Sequence, residues 1–173
     1  MRVLYFSRDY TTHDRRFLEG FDSRGVDVSY MRLEDDGRRL ETRPLPPTVA
    51  PISWMGGQRP APDLYSWLEL LPDFQRVVTE VRPDVIHAGP VQSCGLLAAL
   101  TNFSPLAVMS WGSDILVDSG RDDPWPWMTK FPLSRAGIFI CDSGAVAARA
   151  KELAAPLPGK VLTFPWGLKR PST

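Results

Sequence analysis

The chain has little of what usually announces specialised chemistry. Its 173 residues hold two cysteines and two histidines. Cys94 and Cys141 lack metal-ligand spacing, which argues against a disulfide framework and a cysteine-based zinc site. Both sit in apolar surroundings, as buried free thiols in a reducing compartment do. Excess charge is missing too: 20 basic and 20 acidic residues give a net charge of +0. A dominant nucleic-acid role, which shows as a basic excess, is thereby disfavoured. No apolar run reaches the ~18 residues of a membrane-spanning helix. The first residues read straight into a strand rather than a signal peptide. A cytoplasmic protein is expected, with room left for peripheral contact at the inner membrane face. Glycine-rich GxGxxG, P-loop, GxSxG and HExxH patterns are absent, so neither a dinucleotide enzyme nor a nucleophile constellation is indicated. No metal or other cofactor is implied, and no general base is assigned.

What is present is an alternation of short apolar runs and helical stretches. Val3–Phe6 reads as a strand. Thr11–Arg24 has helical spacing, with Phe17, Leu18 and Phe21 on one face, and Gly25 stops it. Val26–Leu33 reads as a second strand. Residues 34–62 look irregular, with six prolines from Pro44 to Pro62. Ile52–Met55 is expected as a third short strand, with Gly56-Gly57 as a turn. Asp63–Arg82 is a long helical stretch that Pro72 kinks or splits. Strands are expected at Asp84–His87, Leu106–Ser110, Gly137–Cys141 and Val161–Phe164. Helices are expected at Val91–Leu100, Asp123–Ala136 (disturbed by Pro132) and Ser143–Ala154. This order predicts an α/β fold: a doubly wound, mostly parallel Rossmann-like sheet with helices on both faces.

In such a sheet every strand's carboxyl end lies on one edge, where ligands bind. That edge collects Ser7, Arg8, Asp9, His13 and Asp14 after the first strand, and His87, Ala88 and Gly89 after the fourth. Trp111, Gly112, Ser113 and Asp114 follow the fifth strand, Asp142 and Ser143 the sixth, and Trp166 and Gly167 the last. The substrate-binding candidates are His13, Asp14, His87, Gly89, Trp111, Gly112, Ser113 and Asp114. Thr11 or Thr12 caps the first helix, whose free amides favour an anion, and His13 would contact a phosphate or sugar hydroxyl. His87, at a buried strand end, orients a hydroxyl, shuttles a proton or is structural. Gly112 allows close approach of a ligand, while Ser113 and Asp114 suit a polyol or simply cap a turn. Ser143 reads as an N-cap. Packing accounts for Trp54, Trp67, Trp125 and Trp127. For Trp125 and Trp127, contact with a membrane interface or hydrophobic acceptor stays open.

These segments, taken in order, resemble the amino-terminal half of GT-B glycosyltransferases of the large retaining group, family 4. The carriers are TTHDRRFLEGFDSRGVDVSYMRL, RPDVIHAGPVQSCGLLAAL, LAVMSWGSDIL, AGIFICDSGAVAARAKEL and KVLTFPWGL. The resemblance implies that residues 1–168 form the Rossmann-like, acceptor-side domain, one half of a GT-B fold. Residues 169–173 would start a hinge or tail. It also implies retaining transfer from a nucleotide sugar to a carbohydrate, lipid or small-molecule acceptor, without an obligatory metal. The native carboxy-terminal domain, which holds most of the nucleotide-sugar site in that family, would be the partner. The isolated chain is expected to be inactive. Two positions depart from the pattern: the family often has histidine where Trp111 and Gly89 stand. The alternative is a stand-alone flavodoxin-like or receiver-like binding domain. Ser7, Arg8 and Asp9 fit the acidic cluster of a receiver poorly. The length of the native reading frame separates the two readings.

Overall fold

The computed structural model describes residues 1–157 and 159–166. Gly167, the expected boundary at 168 and the tail 169–173 lie outside the described residues. Side-chain alternation along the strands sets the architecture. In β1 (Arg2–Ser7), Leu4 and Phe6 join one apolar cluster, while Val3 and Tyr5 join another. β5 (Leu106–Met109) divides in the same way, Leu106 and Val108 against Ala107 and Met109. Strands buried on both faces need cover on both faces, the condition a parallel sheet meets with crossover helices.

The other strands are β2 (Asp27–Arg32), β3 (Ala50–Pro51), β4 (Val85–Gly89), β6 (Ile138–Cys141) and β7 (Lys160–Thr163). They form one sheet in the order β3-β2-β1-β4-β5-β6-β7, and every adjacent pair is parallel. The sequence order reverses between β1 and β4, which makes their carboxyl ends a topological switch point. One face carries α1 (Thr12–Asp22), whose Leu18, Phe17 and Phe21 pack on Tyr5 and its neighbours. The opposite face carries α2 (Leu64–Glu69), α3 (Leu71–Val81), α4 (Leu96–Leu100), α6 (Trp125–Arg135) and α7 (Gly144–Leu153). A single π-type turn, Val91–Gly95, leads into α4, and a four-residue α5 (Ser113–Leu116) follows β5.

Most sequence expectations hold, and the doubly wound parallel sheet is one of them. The long stretch from Asp63 is split, with Asp63 capping α2 and Pro72 in the first turn of α3. Ser143 caps α7, its Oγ accepting the Val146 N–H at 3.4 Å. The expected third strand at Ile52–Met55 is a correction: the edge strand is Ala50–Pro51. Ile52 N–H still donates to Tyr30 O at 2.8 Å. Beyond it, the Trp54 indole takes the Arg32 carbonyl and Gly57 N–H takes the Leu33 carbonyl, each at 2.8 Å. The acceptors that would extend the ladder are occupied, so the strand stops.

Candidate functional site

The turn after β5 is built around a buried carboxylate. Asp114 Oδ1 accepts from Ser110 Oγ at 2.6 Å and from the Trp111 and Ile115 backbone N–H groups at 3.0 Å. Its Oδ2 accepts the Val91 N–H, also at 3.0 Å, which ties the turn to the end of β4. Ser110 Oγ in turn accepts the Gly112 N–H at 2.9 Å. The chain passes Gly112 at φ +88°, a conformation L side chains rarely adopt. Burial pushes the Asp114 carboxyl above its usual range, opposed by these hydrogen bonds. Asp114 therefore holds the turn from within, the turn-capping role that the sequence offered beside the polyol reading. Ser113 is exposed at the start of α5.

A second buried carboxylate fixes the start of α1. Asp14 Oδ2 accepts the Thr11 N–H at 2.8 Å and Thr11 Oγ1 at 2.6 Å, and its Oδ1 accepts Tyr5 OH at 2.9 Å. Thr11 and Asp14 form a reciprocal capping box. The capping box satisfies the Thr11 and Asp14 amides and turns the Asp14 carboxylate towards the helix start and Tyr5. Burial raises the Asp14 carboxyl to about 6. The same cap holds His13 in the first turn, at the carboxyl edge.

His87 is buried in the strand, as its structural reading expects, but it is not the strand's last residue. β4 continues two residues past it to Gly89. Its ring is buried beneath α1, 4.8 Å from Tyr5 and 5.4 Å from Phe17 between centroids. Burial lowers its pKa to about 4, and its Nε2 has no partner among the described residues. Gly89 is packed tightly against β5. A Cβ there would lie 2.5 Å from the Met109 carbonyl oxygen on β5. Gly89→Ala is expected to cost about 1–3 kcal/mol through overpacking, and a urea titration reads the loss. The larger Gly89→His should cost at least as much.

What meets at the edge is a set of rings. His13, Trp111 and Trp166 stand 6.1, 5.5 and 6.1 Å apart between centroids for the pairs 13–111, 13–166 and 111–166. Arg16 Nη1 donates to the Trp166 carbonyl at 3.4 Å, joining α1 to the chain beyond β7. His13 Nδ1, Trp111 Nε1 and Trp166 Nε1 are shielded from solvent and have no partner among the described residues. The same holds for Asp142 Oδ1 at the end of β6. A groove of about 450 Å³ runs from His13 and Trp166 along Phe17, Phe21, Phe164 and Pro165. Trp166 and Asp142 were visible in the sequence as strand-end residues, but nothing in their local motifs raised them above their neighbours. Trp125 lies half-buried with the Arg121 guanidinium 4.1 Å from its ring centre, and Trp127 is 47% exposed.

Among the described residues no group of three or more His, Cys, Asp or Glu could hold a metal ion. No described helix is long and apolar enough to cross a membrane.

Residues 2–143 match the family model described as "Glycosyl transferase 4-like". No curated protein matches the chain. Among solved structures, one of sucrose-phosphate synthase from Thermosynechococcus elongatus is 14% identical with a TM-score of 0.72, over 96% of this chain and 90% of that one. A second structure of that synthase is 12% identical with a TM-score of 0.69 over 95% of this chain. There the chain spans 48% of the other's length. The UDP-N-acetylglucosamine 2-epimerase of Rickettsia bellii is 12% identical with a TM-score of 0.57, over 95% of this chain and 44% of that one. At these identities the likeness is one of fold.

Proposed function

The chain belongs to the glycosyl transferase 4-like family, and from that premise we propose that it is the acceptor-side wall of a GT-B enzyme. That enzyme transfers a sugar, with retention and without a metal, from a nucleotide-sugar donor to a carbohydrate, lipid or small-molecule acceptor. The observation that carries the reading is the set of four shielded, unpartnered polar atoms at the carboxyl edge of the sheet. Ligands of open α/β sheets bind at that edge. Asp14 and Asp114 are committed to holding the helix start and the turn. His13, Trp111, Trp166 and Asp142 take over the wall. Donor phosphates fall to a second lobe, so the 173 residues alone should not turn over.

The test is nucleoside diphosphate release with a panel of nucleotide sugars, for the chain alone and for the full-length gene product. Turnover is expected only for the latter, and turnover by the isolated chain would refute the two-lobe reading. Trp111→His in the full-length protein should change kcat/KM by about tenfold or more, the worth of one ligand hydrogen bond. Unchanged kinetics would make Trp111 a packing residue.

A further inference from the structure

We propose that the groove beside α1 holds the hydrocarbon chain of a lipid acceptor with an anionic head group. The proposal rests on the transferase reading and names the class of acceptor. Topology leaves room for the groove. Among the described residues, the helices after α1 pack on the opposite face of the sheet, so α1 has no helical neighbour on its own face. His13, Arg16, Phe17, Gly20, Phe21 and Arg24 recur at three- and four-residue steps and line its open side. The rings of Phe17 and Phe21 are half-buried, backed by His87 at 5.4 and 6.0 Å between centroids. Phe164, 41% exposed, stands 6.1 Å from the Phe17 ring and belongs to the facing wall.

Gly20 supplies the second argument. It sits inside α1, where glycine weakens a helix relative to alanine. Packing does not demand it: a Cβ there would meet nothing closer than Arg24 Nη1 at 3.8 Å. The missing side chain keeps the middle of the groove open. Size and charge then select the occupant. From His13 to Arg24 the chain climbs about 16 Å at the helical rise, so 450 Å³ leaves a section roughly 6 Å across. A helix with its side chains is about 10–12 Å wide and does not fit, whereas an extended hydrocarbon chain does. No described residue lining the groove is acidic, while Arg16 and Arg24 stand along its α1 wall. Arg16 lies towards the carboxyl edge, where its Nη1 reaches the Trp166 carbonyl at 3.4 Å. An anionic head group at that end meets charge of the opposite sign, and the phenylalanine rings take the chain.

The test is a calorimetric titration of the full-length protein with dodecyl phosphate, kept below its micelle concentration. Dodecanol and inorganic phosphate are titrated separately. Dodecyl phosphate should bind and phosphate alone should not. Dodecanol should bind about tenfold or more weakly, the worth of a charge-assisted contact. Gly20→Leu fills the groove and replaces glycine with a strong helix former. It should weaken dodecyl phosphate by about tenfold or more while the urea midpoint holds or rises. A variant that merely damaged the fold would lower both. Replacing the two arginines together, Arg16→Gln with Arg24→Gln, should close most of the gap between dodecyl phosphate and dodecanol. Equal affinity in wild type and Gly20→Leu, or an unaltered gap in the double variant, would overturn the proposal. So would phosphate binding as tightly as dodecyl phosphate. Silence with dodecyl phosphate would also overturn it, and would show that another segment of the full-length protein covers the groove. Lipid binding by a protein that releases no nucleoside diphosphate from any nucleotide sugar would sink the transferase reading and leave the groove standing. Release with a water-soluble acceptor, with dodecyl phosphate silent, would do the reverse.

Discussion

Asp114→Ala is expected to destabilise the domain by about 3–5 kcal/mol, the range for removing one partner from a buried, multiply bonded charged group. Four donors converge on this side chain: Ser110 Oγ and the backbone N–H groups of Val91, Trp111 and Ile115. The residue is 3% exposed, so water does not replace the carboxylate. Alanine leaves those donors without their acceptor and also frees Ser110, which holds the Gly112 N–H. Asp114→Asn keeps Oδ1 as an acceptor but sets an amide NH₂ against the Val91 N–H, so about half the loss is expected. Urea midpoints at constant m-value measure both. A loss under about 1 kcal/mol for the alanine variant would show that the turn is held by packing alone. The functional consequence is specific. The turn that carries Trp111 and Gly112 is fastened to the end of β4 through Val91. A loosened Asp114 should therefore blunt any ligand response of Trp111 before the core unfolds.

That hub shows what a sequence conveys and what it hides. The strands were legible because residues such as Leu4, Phe6, Leu106 and Val108 form short apolar runs, and a run buried on both faces has few other uses. Pro72 was legible because a ring without an N–H cannot sit deep inside a helix. The edge strand was not, since its end depends on the Trp54 side chain reaching the Arg32 carbonyl. The site divided along the same line. Strand-end position brought His13 and Trp111 to one edge. It could not tell a carboxylate facing a ligand from one facing inward. Asp14 and Asp114 stand out in one dimension as polar groups at strand ends, and in three they anchor a capping box and a turn. Asp142, in a plainer setting, keeps the unpartnered oxygen. A local motif records residue type and spacing. Hydrogen-bond satisfaction depends on segments far along the chain, as Val91 and Asp114 are, 23 positions apart.

Two buried groups beside Tyr5 should make opposing contributions to the domain's acid response that nearly cancel until one is removed. His87 touches Tyr5 by ring contact, and Asp14 accepts its hydroxyl. Burial drives the Tyr5 and Tyr30 hydroxyls upward, so both stay neutral in the acid range. Burial lowers His87 to about 4, below its unfolded value near 6.5. On acidification the unfolded chain takes up that proton first. The stability from the neutral imidazole is therefore complete above about pH 6.5 and falls as pH drops towards 4, by about 3 kcal/mol. Asp14 has the opposite sign. Its folded value is raised to about 6, so the folded state binds its proton first. Stability from the protonated acid is complete below about 3.8 and is lost as pH rises through 6, again by about 3 kcal/mol. The two slopes share one window and cancel. His87→Phe keeps an aromatic ring in the same pocket and leaves Asp14 alone. Relative to wild type it should gain about 3 kcal/mol as pH falls from 6.5 to 4. Asp14→Asn gives up part of the capping box at every pH and, in addition, should lose about 3 kcal/mol against wild type over that interval. Urea titrations at a series of pH values supply these differences, and subtracting wild type at each pH removes the carboxylates common to both proteins. Stability curves for wild type and His87→Phe that run parallel from pH 6.5 to 4 would overturn the assignment. The imidazole would then titrate in the fold as it does in the unfolded chain, and the cancellation with Asp14 would not exist.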